Sequence, residues 1–448
     1  MLRIGAIPGD ATAPMFHRFR SAAGEHLLIV PFSRVFDLSL DTAGHFDRGG
    51  GERDSLVEAL TQPVAGEVPL EDVVAPQPQC ISLNVSSSCN LSCSYCYAAR
   101  GGFDGAQVEP MRWETARAAI DALLARADAA APITVGFLGG EPFANRPLLH
   151  ASVDYAKRAG ERRGLDVRFS VTTNGTLLRA EDIALLRAHR FAVTISIDGG
   201  AAVQDRQRPA AGKRAAGSFA RLERAVAPLL ADPGLAQIAA RATVTRHDFD
   251  LLRRFNDILE IGFPEVGFAP LRMDKGGGDA LRDQDWPGYL DALMAVAKTE
   301  LARARTGAGL RLTNFAVALK QIARGASSPY PCGAGGGYFS VAADGRWYAC
   351  HRAIGTVEFE MGDNSSLDAE RRHHFLVGRH VHAQEACRTC WARYLCSGAC
   401  HQEATARNES GCGFIRGWLE FCLGAYCEIS AQSRLVTASP KWPENIVQ

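Results

Sequence analysis

Thirteen cysteines sit in two groups along this chain of 448 residues. Four lie between positions 80 and 96, none between 97 and 331, and nine between 332 and 427. A long cysteine-free body separates two thiol-rich regions, and an odd total excludes complete pairing as disulfides. In a reducing compartment, cysteines in short motifs are metal ligands or catalytic groups. The opening MLRIGAIPGDATAPMF lacks an apolar core before Asp10 and its prolines, so no signal peptide and a cytoplasmic location are expected. No stretch reaches the roughly 18–20 uncharged apolar residues of a membrane span. With 49 basic and 49 acidic residues and 47% apolar content, the chain reads as folded. Its zero net charge gives no support to nucleic acid or an anionic membrane as partner.

The expected fold class is α/β, in three parts: a small N-terminal α+β module over 1–75, a strand–helix body over 76–310 and a cysteine-rich region over 311–448. In the module, EHLLIVPF (25–32) and RVFDLSL (34–40) predict strands, GHFDRGGGER (44–53) a Gly-rich turn and SLVEAL (55–60) a short helix. The proline-spaced VAGEVPLEDVVAPQPQ predicts a linker. In the body, CISLNVSS (80–87), ITVGFLG (133–139), VRFSVTT (167–173), FAVTISI (191–197), ARATVT (240–245) and EVGFAPL (265–271) predict strands alternating with amphipathic helices. Leu251, Leu252, Phe255, Ile258 and Leu259 recur at helical spacing. Six βα units in series imply a parallel sheet, open or a barrel, with its site at the C-terminal strand ends. WPGYLDALMAVAKTELARAR (286–305) predicts a long helix leaving this body. Beyond it, little regular pattern is visible, as in regions that fold around metal.

Directly after the first strand stands Cys89-Asn-Leu-Ser-Cys93-Ser-Tyr-Cys96. Three thiolates on one loop can hold three irons of a four-iron cluster and leave the fourth open. Structural zinc would require a fourth ligand, and no Cys or His follows until His150. The spacing C-x3-C-x2-C, with Tyr95 before the last cysteine, resembles the radical S-adenosylmethionine (SAM) superfamily. That resemblance implies a partial (β/α)6 TIM-like barrel. Its other motifs are matched in order at later strand ends. Gly139-Gly140-Glu141-Pro142 is similar to the segment that binds the methionine amino group, and Thr173-Asn174-Gly175-Thr176 to the segment near the ribose. Ser196-Ile197-Asp198-Gly199 follows the fourth strand, with Asp205 and Arg208-Pro209 beyond. The usual histidine before that aspartate is Gln204 here. The family's chemistry is one-electron cleavage of SAM to methionine and a 5′-deoxyadenosyl radical, which takes a hydrogen atom from substrate; the protein positions both.

The second region reads Cys332, twelve residues, Gly345, four residues, Cys350, then Cys387-x2-Cys390-x5-Cys396-x3-Cys400. This resembles the SPASM domain, which implies two auxiliary [4Fe-4S] clusters and so three in all. By position, Cys332, Cys350 and Cys400 would hold the first. Cys387, Cys390 and Cys396 would hold the second, closed by one of Cys412, Cys422 and Cys427. Cys412 precedes the predicted helix FIRGWLEFCLGAY, as the closing ligand usually does. Cys422 lies on that helix's apolar face, about 15 Å from Cys412. Cys427 and Cys80 default to buried thiols. The first auxiliary set shows three ligands: Cys422 or Cys427 completes it, or one iron is open. Zinc is the alternative for the C-x2-C-x5-C-x3-C part.

Sulfatase maturases carry an extra cysteine between the first two SPASM cysteines and an aspartate after the second. This chain has no such cysteine and has His351 at the second position. Cys350-His351-Arg352 and the Cys390–His401 segment resemble thioether-forming peptide maturases, above all those of the quinohemoprotein amine dehydrogenase small subunit. These join cysteine thiols to methylene carbons of Asp or Glu. The resemblance spans about 80–430 and implies a peptide or small-protein substrate and an external flavodoxin- or ferredoxin-type electron donor. His351 is a candidate base, or a histidine hydrogen-bonded beside the cluster. The N-terminal module either binds the peptide by strand addition or caps the barrel. Carbon–carbon cyclisation, formylglycine formation and, from another class, a zinc-stabilised protein-binding barrel are the competing readings. The GGG runs at 276–278 and 335–337 fit no nucleotide fingerprint and are expected to be flexible loops.

Overall fold

The computed structural model describes residues 13–61, 69–212, 217–231, 237–274, 278–325, 327–404 and 407–436, without the side chains of 71 and 432–436. The opening residues 1–12, positions 64–68 of the expected linker and positions 276 and 277 lie outside them.

The N-terminal module is an antiparallel sheet of β1 (Phe16–Ser21), β2 (Gly24–Ile29) and β3 (Arg34–Leu38), in that order. The charge-rich β1 escapes a reading by hydrophobicity because hairpin pairing and a helix behind it define it. The Gly-rich turn expected over 44–53 is instead the junction of two helices, α1 (Leu40–Arg48) and α2 (Gly51–Thr61). Ser39 starts α1 by accepting the Thr42 amide at 3.1 Å, and the break is confined to Gly49 and Gly50, at φ 67° and 91°. Leu27, Ile29 and Phe46 form a small core of their own.

The body is built as its pattern implies. Six parallel strands follow in sequence order: β4 (Cys80–Ser86), β5 (Ile133–Gly139), β6 (Val167–Thr173), β7 (Ala192–Ser196), β8 (Gln237–Val244) and β9 (Val266–Pro270). Helices α3 (Trp113–Arg126), α4 (Arg146–Arg163), α5 (Ala180–Ala188), α6 (Ala201–Gln207), α7 (Phe219–Leu230) and α8 (Leu251–Glu260) connect them. Period two sorts each strand's side chains. Leu83, Val135, Phe137, Phe169, Val171, Val193, Ile195 and Ala242 are buried in the apolar core. Ser82, Gly136, Ser170, Thr172, Thr194, Arg241 and Thr243 line an interior cavity. A sheet whose inner face is small and polar encloses a binding space where a closed barrel would hold a packed core.

The C-terminal region corrects the expectation of little regular structure. After α9 (Trp286–Ala304), which packs against α8, and α10 (Thr313–Arg324), β10 (Tyr338–Val341) pairs parallel with β4. It continues into antiparallel β11 (Arg346–Tyr348) and β12 (Glu360–Asp363), giving one sheet in the order β12-β11-β10-β4-β5-β6-β7-β8-β9. Gly345 turns the β10–β11 hairpin at φ 89°, which explains the glycine in the cysteine signature. The run 335–337 is a hydrogen-bonded turn feeding β10, with the Gly337 carbonyl accepting from the amides of Gln79 and Cys80. Helices α11 (Ala369–Arg379), α12 (Glu385–Arg388), α13 (Arg393–Cys396) and α14 (Glu409–Val436) follow among the described residues. Cys412, expected before the last helix, lies in its first turns. No helix among the described residues is long and apolar enough to cross a membrane.

Candidate active site and cysteine centres

The interior cavity measures about 750 Å³ and opens at the C-terminal ends of the strands. Cys89, Cys93, Tyr95 and Cys96 line it, with Gly139, Gly140, Thr173, Asn174, Ser196, Arg208 and His351. Four of the six parallel strands thus deliver their terminal motifs to one space, as the sequence order implies. The glycines permit close backbone packing. A Cβ at Gly140 would stand 2.3 Å from the Ser88 carbonyl oxygen and 2.2 Å from that of Arg100.

Glu141, Pro142 and Asp198 stand behind this lining. Glu141 is fully buried and accepts hydrogen bonds from Thr173 Oγ1 (2.6 Å) and the amides of Asn174 (2.8 Å) and Phe143 (3.1 Å). It ties the end of β5 to that of β6. Burial raises its pKa, and those three bonds oppose the shift. Pro142, also buried, opens the short helical turn that holds Phe143. Asp198 accepts the Tyr95 hydroxyl and the Thr243 amide (2.8 Å). Arg208 Nε lies 3.0 Å from its Oδ2, as an ion pair off the N–H axis. Burial is the largest influence and works against the Arg208 charge, but Asp198, Tyr95 and Cys93 together outweigh it and hold the guanidinium's pKa above its ordinary value. Gln204 is buried, and its Oε1 accepts the Asp198 amide at 2.9 Å. It supports the turn after β7. Asp205 accepts the Phe219 amide at 2.7 Å, at the start of α7.

The second thiol region forms two centres. Cys332 and Cys350 flank the β10–β11 hairpin, whose strands return side by side. Cys350, Cys332 and Cys400 lie close enough to act on one another electrostatically. Cys387, Cys390, Cys396 and Cys412 surround a second cavity of about 60 Å³. The chain turns between Cys396 and Cys400 through Ser397, Gly398 and Ala399, at φ 54°, 82° and 60°. Two non-glycine residues in this turn store strain, and the turn separates Cys396 from Cys400. Arginines accompany both. Arg352 Nη1 is 4.0 Å from Cys400 Sγ and 2.6 Å from Glu403 Oε1, and Arg407 Nη1 donates to Cys387 Sγ at 3.1 Å.

The donor sets fit iron–sulfur clusters better than single ions. Four thiolates on one zinc, at Zn–S of about 2.3 Å, stand about 3.8 Å apart. Among the described residues, no three of these cysteines bring their sulfurs within 4.8 Å of one another. Burial pushes the metal-free Cys89 and Cys350 thiols up to about 12 and those of Cys93 and Cys396 up to about 11. Loading a cluster onto these thiols would therefore displace protons. Cys422 is fully buried, with burial the sole cause of its raised pKa. Cys80, expected as a buried thiol, is half-buried and lines the large cavity.

Residues 83–225 match the radical SAM superfamily model. The chain is 25% identical over 359 residues to the serine-type anaerobic sulfatase-maturating enzyme of Klebsiella aerogenes, covering 74% of this chain and 82% of that one. It is 31% identical over 204 residues to the mycofactocin maturase MftC of Mycobacterium ulcerans, covering 45% and 50%. Over residues 83–225 this chain carries a radical SAM domain. The enzyme shares its fold with native anSMEcpe with bound AdoMet, at a TM-score of 0.66 and 21% identity over 79% of this chain and 99% of that one.

Several residues of the enzyme's cavity carry no motif. Tyr97 lies within electrostatic reach of both Cys96 and Cys350, and its ring meets that of His351 at 5.8 Å. His351 Nδ1 stands 2.9 Å from Tyr338 Oη, which is 2.7 Å from Ser82 Oγ. Burial, helped by Arg352, lowers the His351 pKa to about 4. Arg241 projects into the cavity from β8 with no carboxylate partner among the described residues. Gly267 makes room for it: a Cβ there would lie 2.8 Å from Arg241 Nη1. Burial lowers the Arg241 pKa, Tyr289 opposes and Arg352 adds to the shift.

Proposed function

We propose that this enzyme forms thioether cross-links between cysteine thiols and Asp or Glu methylene carbons of a peptide or small protein, as in quinohemoprotein amine dehydrogenase maturation. The observation that carries this reading is Arg241, an unpaired guanidinium in the cavity that also receives the Cys89–Cys96 loop. A cation that faces the cavity without a counter-ion among the described residues favours an anionic ligand, and a carboxylate offers the matching bidentate edge. Solved relatives add support for the substrate class: anSMEcpe has been captured with AdoMet and the Cp18Cys peptide, at a TM-score of 0.64 and 20% identity to this chain.

In this reading Cys89, Cys93 and Cys96 hold the SAM cluster, and Tyr95, Gly139, Gly140, Thr173, Asn174 and Ser196 surround SAM, backed by Glu141, Pro142 and Asp198. Cys332, Cys350 and Cys400 hold the first auxiliary cluster with one iron open. Cys387, Cys390, Cys396 and Cys412 hold the second. When bound, these groups supply SAM cleavage, hydrogen-atom removal from substrate and a sink for a second electron. Making C–S from C–H and S–H removes two hydrogens: one leaves as the atom abstracted, the other as a proton from the thiol and an electron from the substrate. Of the two readings of His351, its bond to Tyr338 and its low basicity favour the hydrogen-bonded one. The three parts divide at about 75 and 310 as the sequence implies. The outer edge of β3 is the docking strand for the peptide, and a flavodoxin- or ferredoxin-type protein donates the electron.

The test is anaerobic incubation with a small cysteine- and acid-rich protein encoded beside this chain. The product should lose about 2 Da and one free thiol per cross-link, the balance of a two-hydrogen oxidation at sulfur. The same mass loss with all thiols retained would mean carbon–carbon closure or serine oxidation instead. Arg241→Gln should raise KM for that substrate by about 10–100-fold, the worth of a charge-assisted bond. An unchanged KM would remove Arg241 from substrate binding. Formylglycine formation is the second reading, favoured by the Klebsiella relative. The missing cysteine between Cys332 and Cys350 weighs against it.

A further inference from the structure

A second kind of donor set lies far along the chain from the cluster motifs. His26 on β2 and Asp37 on β3 are direct cross-strand partners in the N-terminal sheet. Cys427 on α14 comes to the same point, and one donor atom from each of the three lies within 4.8 Å of the others. We propose that His26, Asp37 and Cys427 bind a zinc ion that fastens the N-terminal sheet to the C-terminal helix.

The donors fit that ion. Imidazole, carboxylate and thiolate are all zinc ligands, at bond lengths of about 2.0–2.3 Å that place ligand atoms some 3–4 Å apart. His26 Nδ1 already stands 3.0 Å from Asp37 Oδ1. The spacing separates this set from the cluster cysteines, none of which gather so tightly among the described residues. His26 also has the outer partner that a metal-bound histidine requires. Its Nε2 is 2.7 Å from Ser21 Oγ, which is fixed by the Ala23 amide at 3.0 Å. With Nδ1 on zinc, the single imidazole proton resides on Nε2 and is donated to Ser21. Asp37 coordinates as the carboxylate and Cys427 as the thiolate, so binding releases one thiol proton to solvent. His26 and Cys427 are 1% and 5% exposed, whereas the Asp37 side chain is 56% exposed. Water therefore completes the tetrahedron from the Asp37 side.

The location gives the ion its effect. The hairpin of β1 and β2 also meets α14 through His17 to Glu420 at 3.2 Å and the Ala22 amide to Glu428 Oε1 at 3.2 Å, both at exposed positions. Exposed contacts of that kind contribute little. A zinc tie from β2 and β3 to α14 would set the module's position against the region that holds the second thiol group.

The experiment uses the full chain with its iron–sulfur clusters reconstituted, desalted anaerobically and given zinc. Elemental analysis should find about one zinc per chain beside the iron. His26→Ala and Cys427→Ala should each bring zinc to background while iron content stays unchanged. A chromophoric chelator titrated against the unsubstituted protein provides a readout free of folding defects. It should remove the zinc reversibly, with a Kd below about 1 μM, and leave the iron in place. Zinc-free protein after such loading, or variants that keep as much zinc as the unsubstituted protein, would overturn the proposal. Neither result would touch the thioether reading, which is judged on peptide mass and thiol count.

Discussion

Replacing Cys89, Cys93 and Cys96 together by alanine should abolish 5′-deoxyadenosine formation and lower the iron content from about twelve to about eight per chain, one four-iron cluster's worth. The expectation rests on where the loop sits. It leaves β4 at the cavity mouth, and its three sulfurs face the space lined by Thr173, Asn174 and Ser196. Packing of Leu91, 2% exposed, and the Ser92 amide bonded to the Pro209 carbonyl at 2.8 Å hold the loop without any cysteine. The triple variant should therefore fold and keep both C-terminal centres, so that lost cleavage reports a lost cluster. Retained SAM cleavage would refute the assignment. Zinc without acid-labile sulfide in the unsubstituted protein would sink the enzyme's proposed cofactors altogether.

The body of this fold was legible because parallel strands announce themselves twice. Each is apolar enough to stand out as a run, and each is followed by a helix of clear periodicity, such as Leu251, Phe255 and Ile258. Spacing also picked out cysteines that the fold brings together, Cys89, Cys93 and Cys96 at the large cavity and Cys387, Cys390, Cys396 and Cys412 at the small one. Elements of low hydrophobicity whose existence depends on a distant partner were harder to read. β1 needs β2 and α14, and β10 is a four-residue strand completed by β4, more than 250 positions away. Much of the polar site was hidden for the same reason. Arg241 falls in a strand as one charge among apolar residues, and only the barrel shows that it points inward without a partner. Arg352 and Arg407 acquire meaning from the sulfurs they approach, 48 and 20 positions away. Glu141 was legible as a motif residue, yet its bonds join β5 to β6 and leave none of it exposed to the cavity.

Asp198→Ala should destabilise the enzyme by about 3–5 kcal/mol, the cost of breaking a buried ion pair from one side. The carboxylate is fully buried and serves three donors from three segments: Tyr95 in the cysteine loop, the Thr243 amide on β8 and Arg208 after α6. Alanine leaves the Arg208 charge without its counter-ion and two further donors without an acceptor, in a site too enclosed for water to replace them readily. Asp198→Asn separates shape from charge. Its amide oxygen can still accept from Thr243, but it cannot neutralise Arg208, so its loss should fall between wild type and alanine. Both variants should also weaken SAM binding, because Arg208 lines the cavity and its ring contact with Tyr95, 5.3 Å to the centroid, depends on the same anchor. Urea unfolding with SAM titration distinguishes the parts. Equal stability of the Asn and Ala variants would place the whole cost in the lost charge. An Asn variant as stable as wild type would show that hydrogen bonding, with no contribution from the Arg208 pair, holds the cysteine loop against β7 and β8.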